Sequence, residues 1–330
     1  MTLQDIKKIA VIGSGIMGPG IALSFAKAGL AVTLSDCLPA PLDAAKSVVH
    51  SSLLTLAKHG LVNPVDIEKI ELRITYNLSL PDSARDADFV VECISEKKGA
   101  KTELFRQLDK ICRPDAIFAS NTSYLNIFDL VPENRLPNTV VAHWFAPPHI
   151  LPLVEVVREA KTSDQTEKVV VDLFRAIGEI PVLMKKYVPG HAINRLLRII
   201  GREVFFLLDN GYITADQLDL AVKASIAPRM CLLGVVQRYD FTGLDLSAGN
   251  LRLTDYPEPP IDNAPRSLVD LVQRGDLGVK TGKGFFDYTD KPLGETLAER
   301  DDNLIRILKA VDFTLTSTPA PAKTTGQTVK

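Results

Sequence analysis

The chain has 330 residues, 46% of them hydrophobic, and its 38 Lys and Arg stand against 40 Asp and Glu for a formal net charge of -2. That length supports one large core or two medium ones, and the charge balance gives no basic field of the kind that gathers nucleic acid. Arg202 and Glu203 interrupt the apolar stretch near Phe205, so nothing there reaches the ~20 clear apolar residues a membrane-spanning helix needs.

At the N-terminus Lys7 and Lys8 precede an apolar run, as in an export signal. The run Ile9 to Ile12 is only a strand long and leads directly into a glycine turn, so the expected location is the cytoplasm. Cys37, Cys93, Cys112 and Cys231 are scattered without metal-ligand spacing. That suits a reducing compartment and gives no reason to expect a metal. Along the first half, β-branched runs alternate with helical patterns. The expected strands are 9–12, 31–35, 89–94, 116–119, 139–142, 153–157 and 180–184, with helices such as 17–28 and 42–58 between them. Several of these runs are apolar almost throughout, as in a parallel sheet covered on both faces. After Val188-Pro189-Gly190 the pattern becomes helical, with segments at 193–210, 215–224 and 267–274. The expected organisation is therefore an α/β dinucleotide-binding domain over 1–186, an all-α domain over 187–312 and a mobile tail over 313–330.

The stretch from Val11 to Gly18 contains G-x-G-x-x-G. Gly13 permits a tight turn, Gly15 lets the backbone approach a pyrophosphate, and Gly18 lets the following helix pack on its strand. Ile16 and Met17 contribute amides at the helix start, where the dipole favours phosphate charge. A second strand ends at Asp36, about 20 residues on, where an acid binds the ribose hydroxyls and repels a 2′-phosphate. No arginine follows it, so the expected cofactor is NAD rather than NADP.

Two further stretches carry catalytic residue types. Ala119-Ser120-Asn121-Thr122-Ser123 ends one expected strand. His143-Trp144-Phe145-Ala146-Pro147-Pro148 ends the next and is followed by Leu153-Val154-Glu155-Val156. Ligands bind at the carboxyl ends of such strands, and an imidazole backed by a carboxylate is a proton acceptor suited to neutral pH.

Together with Pro189-Gly190-His191-Ala192-Ile193-Asn194-Arg195, these stretches make residues of about 5–290 resemble the 3-hydroxyacyl-CoA dehydrogenase family. The resemblance implies a Rossmann-type doubly wound sheet followed by a helical dimerisation domain, with the active site between them. It assigns proton transfer to His143, its support to Glu155, and substrate contacts to Ser123 and Asn194. Glu96, Lys101 and Lys280 match cofactor-side residues. A homodimer and a role in fatty acid metabolism are implied as well. Leu196, Leu197, Ile199, Ile200 and the run Phe205 to Leu207 are expected in the core or the dimer interface.

The chain departs from the family pattern in several places. Ala146 stands where the family has asparagine, His191 where it has phenylalanine, and Pro147-Pro148 opens a proline-rich stretch. Near the CoA phosphates of acyl-CoA enzymes only Lys58 of the usual lysines is kept. These departures resemble the branch that contains gulonate and carnitine dehydrogenases. The leading expectation is an L-3-hydroxyacyl substrate carried as a CoA thioester. A free polar β-hydroxy acid is the alternative, and a catalytically inactive NAD-binding protein is the alternative of another class.

Overall fold

The structure is a computed structural model that describes residues 1–255 and 258–316. It divides into two compact units, Met1–Leu196 and Leu197–Lys330. In the first unit the chain runs β1 (Lys8–Ile12), α1 (Gly18–Lys27), β2 (Ala31–Ser35), α2 (Pro39–Lys58), β3 (Ile74–Asn77), β4 (Phe89–Glu92), β5 (Ile117–Ser120), β6 (Thr139–Trp144), β7 (Leu153–Val157) and β8 (Ile180–Met184), with further helices between the strands. The strands form one sheet in the order β3-β2-β1-β4-β5-β6-β7-β8.

The order about β1 is that of a doubly wound sheet, as the alternation of strands and helices leads one to expect. Two differences emerge. β3 is an edge strand whose Ile74-Thr75-Tyr76-Asn77 is mostly not buried; lacking a continuous apolar run, it gave no strand signal. The sheet is also mixed rather than parallel throughout, because β7 runs antiparallel to β6 and β8 runs with β7. Only residues 145–152 join β6 to β7, and a parallel crossover needs a dozen residues or more.

Each face of the sheet carries its own core. On one, Ala10, Ile12, Val90, Phe118 and Val141 pack with Leu104, Phe105 and Leu108 of the Lys98–Ile111 helix. On the other, Phe25 of α1, Phe89, Trp144 and Phe174 form an aromatic cluster with ring centroids 5.0 to 6.5 Å apart. Burying each such side chain contributes about 1.5–3 kcal/mol, and tilted ring pairs add to it. Trp144 therefore anchors β6 on the aromatic face, while the residue before it, His143, points to the opposite face.

The second unit is helical, with Ala215–Ala221, Ala227–Thr242, Leu244–Asn250, Arg266–Arg274 and Leu293–Thr316. The last of these corrects the expected tail. Leu304, Leu308 and Val311 recur at helical spacing and carry the helix past Phe313 to Thr316. The rest of the expected tail, 317–330, lies outside the described residues. No helix among the described residues is long and apolar enough to cross a membrane.

Candidate active site

The antiparallel turn between β6 and β7 is what assembles the site. It sets His143 directly opposite Glu155 in the ladder, and opposite residues in a strand pair project on the same face. Both are buried, at 4% and 1% exposure. His143 Nδ1 lies 2.9 Å from Glu155 Oε2. The other glutamate oxygen, Oε1, accepts from the amides of Ala192 at 2.9 Å and Ile193 at 3.0 Å, which open the Ile193–Asp209 helix. Burial raises the Glu155 pKa, but the His143 bond and these two amides outweigh it and hold the carboxyl below its ordinary value. Glu155 is therefore an anion and accepts only. The imidazole must carry its proton on Nδ1, which leaves Nε2 as the basic nitrogen. Nε2 faces Ser123 Oγ at 3.3 Å.

Three of the four expected catalytic residues thus come together. Asn194 is the second residue of the Ile193–Asp209 helix and is half-buried; its side chain joins none of these hydrogen bonds. His191, whose polarity stood out in the sequence, is fully buried with φ 48°. Its ring centroid lies 5.3 Å from that of His143. Its Nε2 is 3.0 Å from the carbonyl oxygen of Thr122, and since a carbonyl can only accept, Nε2 carries the proton. Burial lowers the His191 pKa, against the pull of the Thr122 bond, and keeps the ring neutral. Among the described residues its Nδ1 has no hydrogen-bond partner.

The glycine turn fits a dinucleotide. A Cβ on Gly13 (φ 107°) would stand 2.7 Å from the Cys93 carbonyl oxygen, and one on Gly18 would stand 1.9 Å from the Gly13 carbonyl oxygen. Those two glycines close the turn. A Cβ on Gly15 would meet nothing within 4 Å, so this glycine keeps backbone accessible rather than relieving a clash. Ile16 is 88% exposed. Met17 is the N-cap of α1 and provides no side-chain bond to its first-turn amides, which leaves those donors for an anion. Asp36 follows β2 and is half-buried. Its Oδ2 accepts from Ser14 N at 2.8 Å and Ser14 Oγ at 2.9 Å, and its Oδ1 accepts from Leu38 N at 3.1 Å. Burial raises its pKa, and the Ser14 and Leu38 bonds more than reverse that. The Cys37 side chain adds a further bond to this carboxylate, and the Ser14 hydroxyl, free to rotate, is a donor that a ribose hydroxyl can replace.

The other expected cofactor residues are placed differently. Glu96 is exposed, yet its carboxylate is bonded to the segment after β5. Lys101, which matches a cofactor-side residue of the family, is 1% exposed. Its Nζ lies between Glu92 Oε1 at 2.6 Å and Glu96 Oε2 at 3.1 Å, so its ammonium is spent within the protein. Glu92, the partner of Lys101, was not singled out as a site residue in the sequence. A lone carboxylate ending the buried strand Phe89-Val90-Val91-Glu92 was the available signal, since a buried charge requires a partner. Lys280 lies in the Val279–Thr281 turn of the second unit, between Gly278 and Gly282.

Comparison with known proteins identifies the family. The family model described as the NAD-binding domain of 3-hydroxyacyl-CoA dehydrogenase matches residues 8–187, and that of its C-terminal domain matches residues 190–288. A curated relative from Mesorhizobium japonicum, 5-formyl-3-hydroxy-2-methylpyridine 4-carboxylate 5-dehydrogenase, is 32% identical over 93% of this chain and 99% of its own length. The crystal structure of a dehydrogenase of that activity, described as an NAD+-dependent dismutase, superimposes with TM-score 0.84 at 30% identity, covering 93% of this chain and 99% of that one. The (S)-3-hydroxybutyryl-CoA dehydrogenase of Ralstonia eutropha superimposes with TM-score 0.68 at 29% identity, covering 86% of this chain and 100% of that one. The two matched domain models, which together span residues 8–187 and 190–288, establish that the chain belongs to the 3-hydroxyacyl-CoA dehydrogenase family of NAD-dependent oxidoreductases acting on CH-OH groups.

Proposed function

We propose that His143 Nε2 takes the hydroxyl proton from a substrate CH-OH group and returns it in the reverse reaction. The observation that carries this reading is the pinned imidazole: Nδ1 on Glu155 and Nε2 facing Ser123 Oγ. NAD, when bound, accepts hydride from the carbon that bears the hydroxyl. Gly13, Gly15, Gly18 and the first amides of α1 would hold its pyrophosphate, and Asp36 would hold its ribose. As His143 gains a proton, the Glu155 anion stabilises the imidazolium and keeps its ring in place. Ser123 is positioned to donate to the reacting oxygen, where charge develops. We assign Asn194 the same oxygen, from the start of the Ile193–Asp209 helix.

For the substrate we propose a small free carboxylic acid. His191 stands beside the His143 ring where the family pattern has phenylalanine, and Ala146, Pro147 and Pro148 depart from that pattern in the connection that follows β6. The higher TM-score to the pyridine carboxylate dehydrogenase points the same way. An L-3-hydroxyacyl-CoA thioester is the second reading, favoured by the family itself and by the likeness to a 3-hydroxybutyryl-CoA dehydrogenase. NADH formation measured over free β-hydroxy acids, hydroxylated or formylated pyridine carboxylates and 3-hydroxyacyl-CoA thioesters tests both. Turnover confined to free acids is expected. Turnover confined to thioesters would transfer the assignment to the second reading.

We also propose a homodimer formed through the second unit. Leu232, Val236 and Phe241 of the Ala227–Thr242 helix are 59%, 77% and 72% exposed, and exposed apolar groups of this size mark association surfaces. Light scattering should give twice the chain mass, and Val236→Glu should halve it. A monomeric wild type would contradict the dimer.

A further inference from the structure

Behind Ser123 lies a line of charge that proton transfer does not use, buried at Glu92 and Lys101 and reaching the surface at Glu96. Glu92 is fully buried and stands opposite Ser120 in the β4–β5 ladder. Its Oε2 accepts from Ser120 Oγ and its Oε1 from Lys101 Nζ. Lys101 in turn reaches Glu96 Oε2 at 3.1 Å. That leaves Glu96 Oε1 facing the segment between β5 and β6. There it accepts from Thr122 Oγ1, from Ser123 N at 3.0 Å, from Tyr124 N at 2.9 Å and more weakly from Leu125 N at 3.4 Å. Amides of consecutive residues converging on one oxygen form a nest that favours a full negative charge. Burial raises the Glu96 pKa, yet Thr122, Tyr124 and Lys101 together bring it below its ordinary value.

We infer that Glu96, clamped by Lys101, is a positioning residue that fixes where Ser123 meets His143. The inference rests on the reading that Ser123 and His143 act on the substrate. The Ser123 amide is one of the donors on Glu96, so displacing that carboxylate displaces the Ser123 backbone. The 3.3 Å separation of Ser123 Oγ from His143 Nε2 is already long for a hydrogen bond to a hydroxyl, and a shift of a few tenths of an ångström breaks it. His191 and Tyr187 hold the neighbouring carbonyls of Thr122 and Tyr124, while Glu96 holds the Ser123 amide itself. A glutamine at this position keeps the shape but has a single oxygen. Either that oxygen faces Lys101, and the amide group meets the N–H donors of the segment, or it faces the segment, and the amide group meets the ammonium.

The test is a double-mutant cycle of Glu96→Gln with Ser123→Ala, reading kcat and KM on the substrate turned over and the Kd for NAD. Glu96→Gln should lower kcat at saturating NAD by about 10- to 100-fold. In the Ser123→Ala background it should cost nearly nothing more, because residues acting as a unit are not additive. A tenfold weaker NAD affinity with unchanged kcat would overturn the inference, as would losses that multiply. Ser123→Ala at wild-type turnover would remove both the inference and the reading beneath it; multiplied losses with Ser123→Ala impaired would remove the inference alone. Should Glu96→Gln fail to fold, Thr122→Val deletes one donor without touching a charge, and the same cycle then applies with an expected loss of about 3-fold.

Discussion

The two units of this chain solve the problem of apolar surface in opposite ways. In the first, both sheet faces are covered and Phe25, Phe89, Trp144 and Phe174 are at most 1% exposed. In the second, among the described residues, Leu271 and Ile305 are the only buried large apolar side chains, while Leu197, Ile199 and Ile200 stay 51% to 59% exposed. The first unit is therefore a self-sufficient core, able to hold His143 and Glu155 in one geometry. Among the described residues the second leaves most large apolar side chains of its helices exposed, the pattern on which the proposed dimer rests.

The comparison breaks most sharply on paired truncations. Phe174→Ala should lower stability by about 3–5 kcal/mol, the cost of a large cavity. Phe241→Ala, in the second unit, should stay within about 0.5 kcal/mol in dilute monomeric protein, with an effect that grows with concentration. Urea unfolding at two protein concentrations reads both, and equal losses would erase the contrast. Glu155→Gln should lower kcat by about 100- to 1,000-fold with the mass of the assembly unchanged. The amide would present N–H to Nδ1 of His143 and drive the proton to Nε2, the wrong tautomer for a base. Steady-state kinetics with light scattering checks it.

Glu179 sharpens the comparison further, since it is a carboxyl caught inside the first unit at 9% exposure. Burial, against the pull of Ser24, Lys27 and Trp144, pushes its pKa up from 4.5 to about 7. The folded state therefore keeps this proton over a range where the unfolded chain has lost it. Stability falls as pH rises from 4.5 through about 7 and then levels. Glu179→Gln cannot ionise, so relative to wild type it should gain roughly 3 kcal/mol between pH 4.5 and pH 8. Urea unfolding at the two pH values measures it, and the same difference at both would refute it. The smallest expected effect is at the nucleotide. Asp36→Ala should weaken NAD about tenfold and relax discrimination against NADP. Fluorescence titration of both cofactors is the check.

Much of the first unit was legible because buried strands are apolar runs, and β2, β7 and β8 have the expected bounds. The edge strand β3 was not, because its sequence is mostly polar and its burial shallow. His143, Glu155 and Ser123 were legible as motifs, but the motif did not show why they meet. That depends on the reversal of β7, which follows from the short 145–152 connection and sets the register pair. The roles of backbone amides were invisible in residue types: Ala192 and Ile193 bind Glu155 through N–H groups any sequence would carry. Lys101 was misleading because its surroundings, Lys97, Lys98 and Glu103, are those of a solvated face. Its burial comes from its place on the inner side of the Lys98–Ile111 helix, beside Glu92.

The most direct trial is His143→Gln, assayed for turnover and titrated with NAD. Turnover reduced by about 100- to 10,000-fold with NAD affinity unchanged is the predicted result, since the substitution deletes the base and spares the glycine turn. Wild-type turnover in that variant would contradict the account.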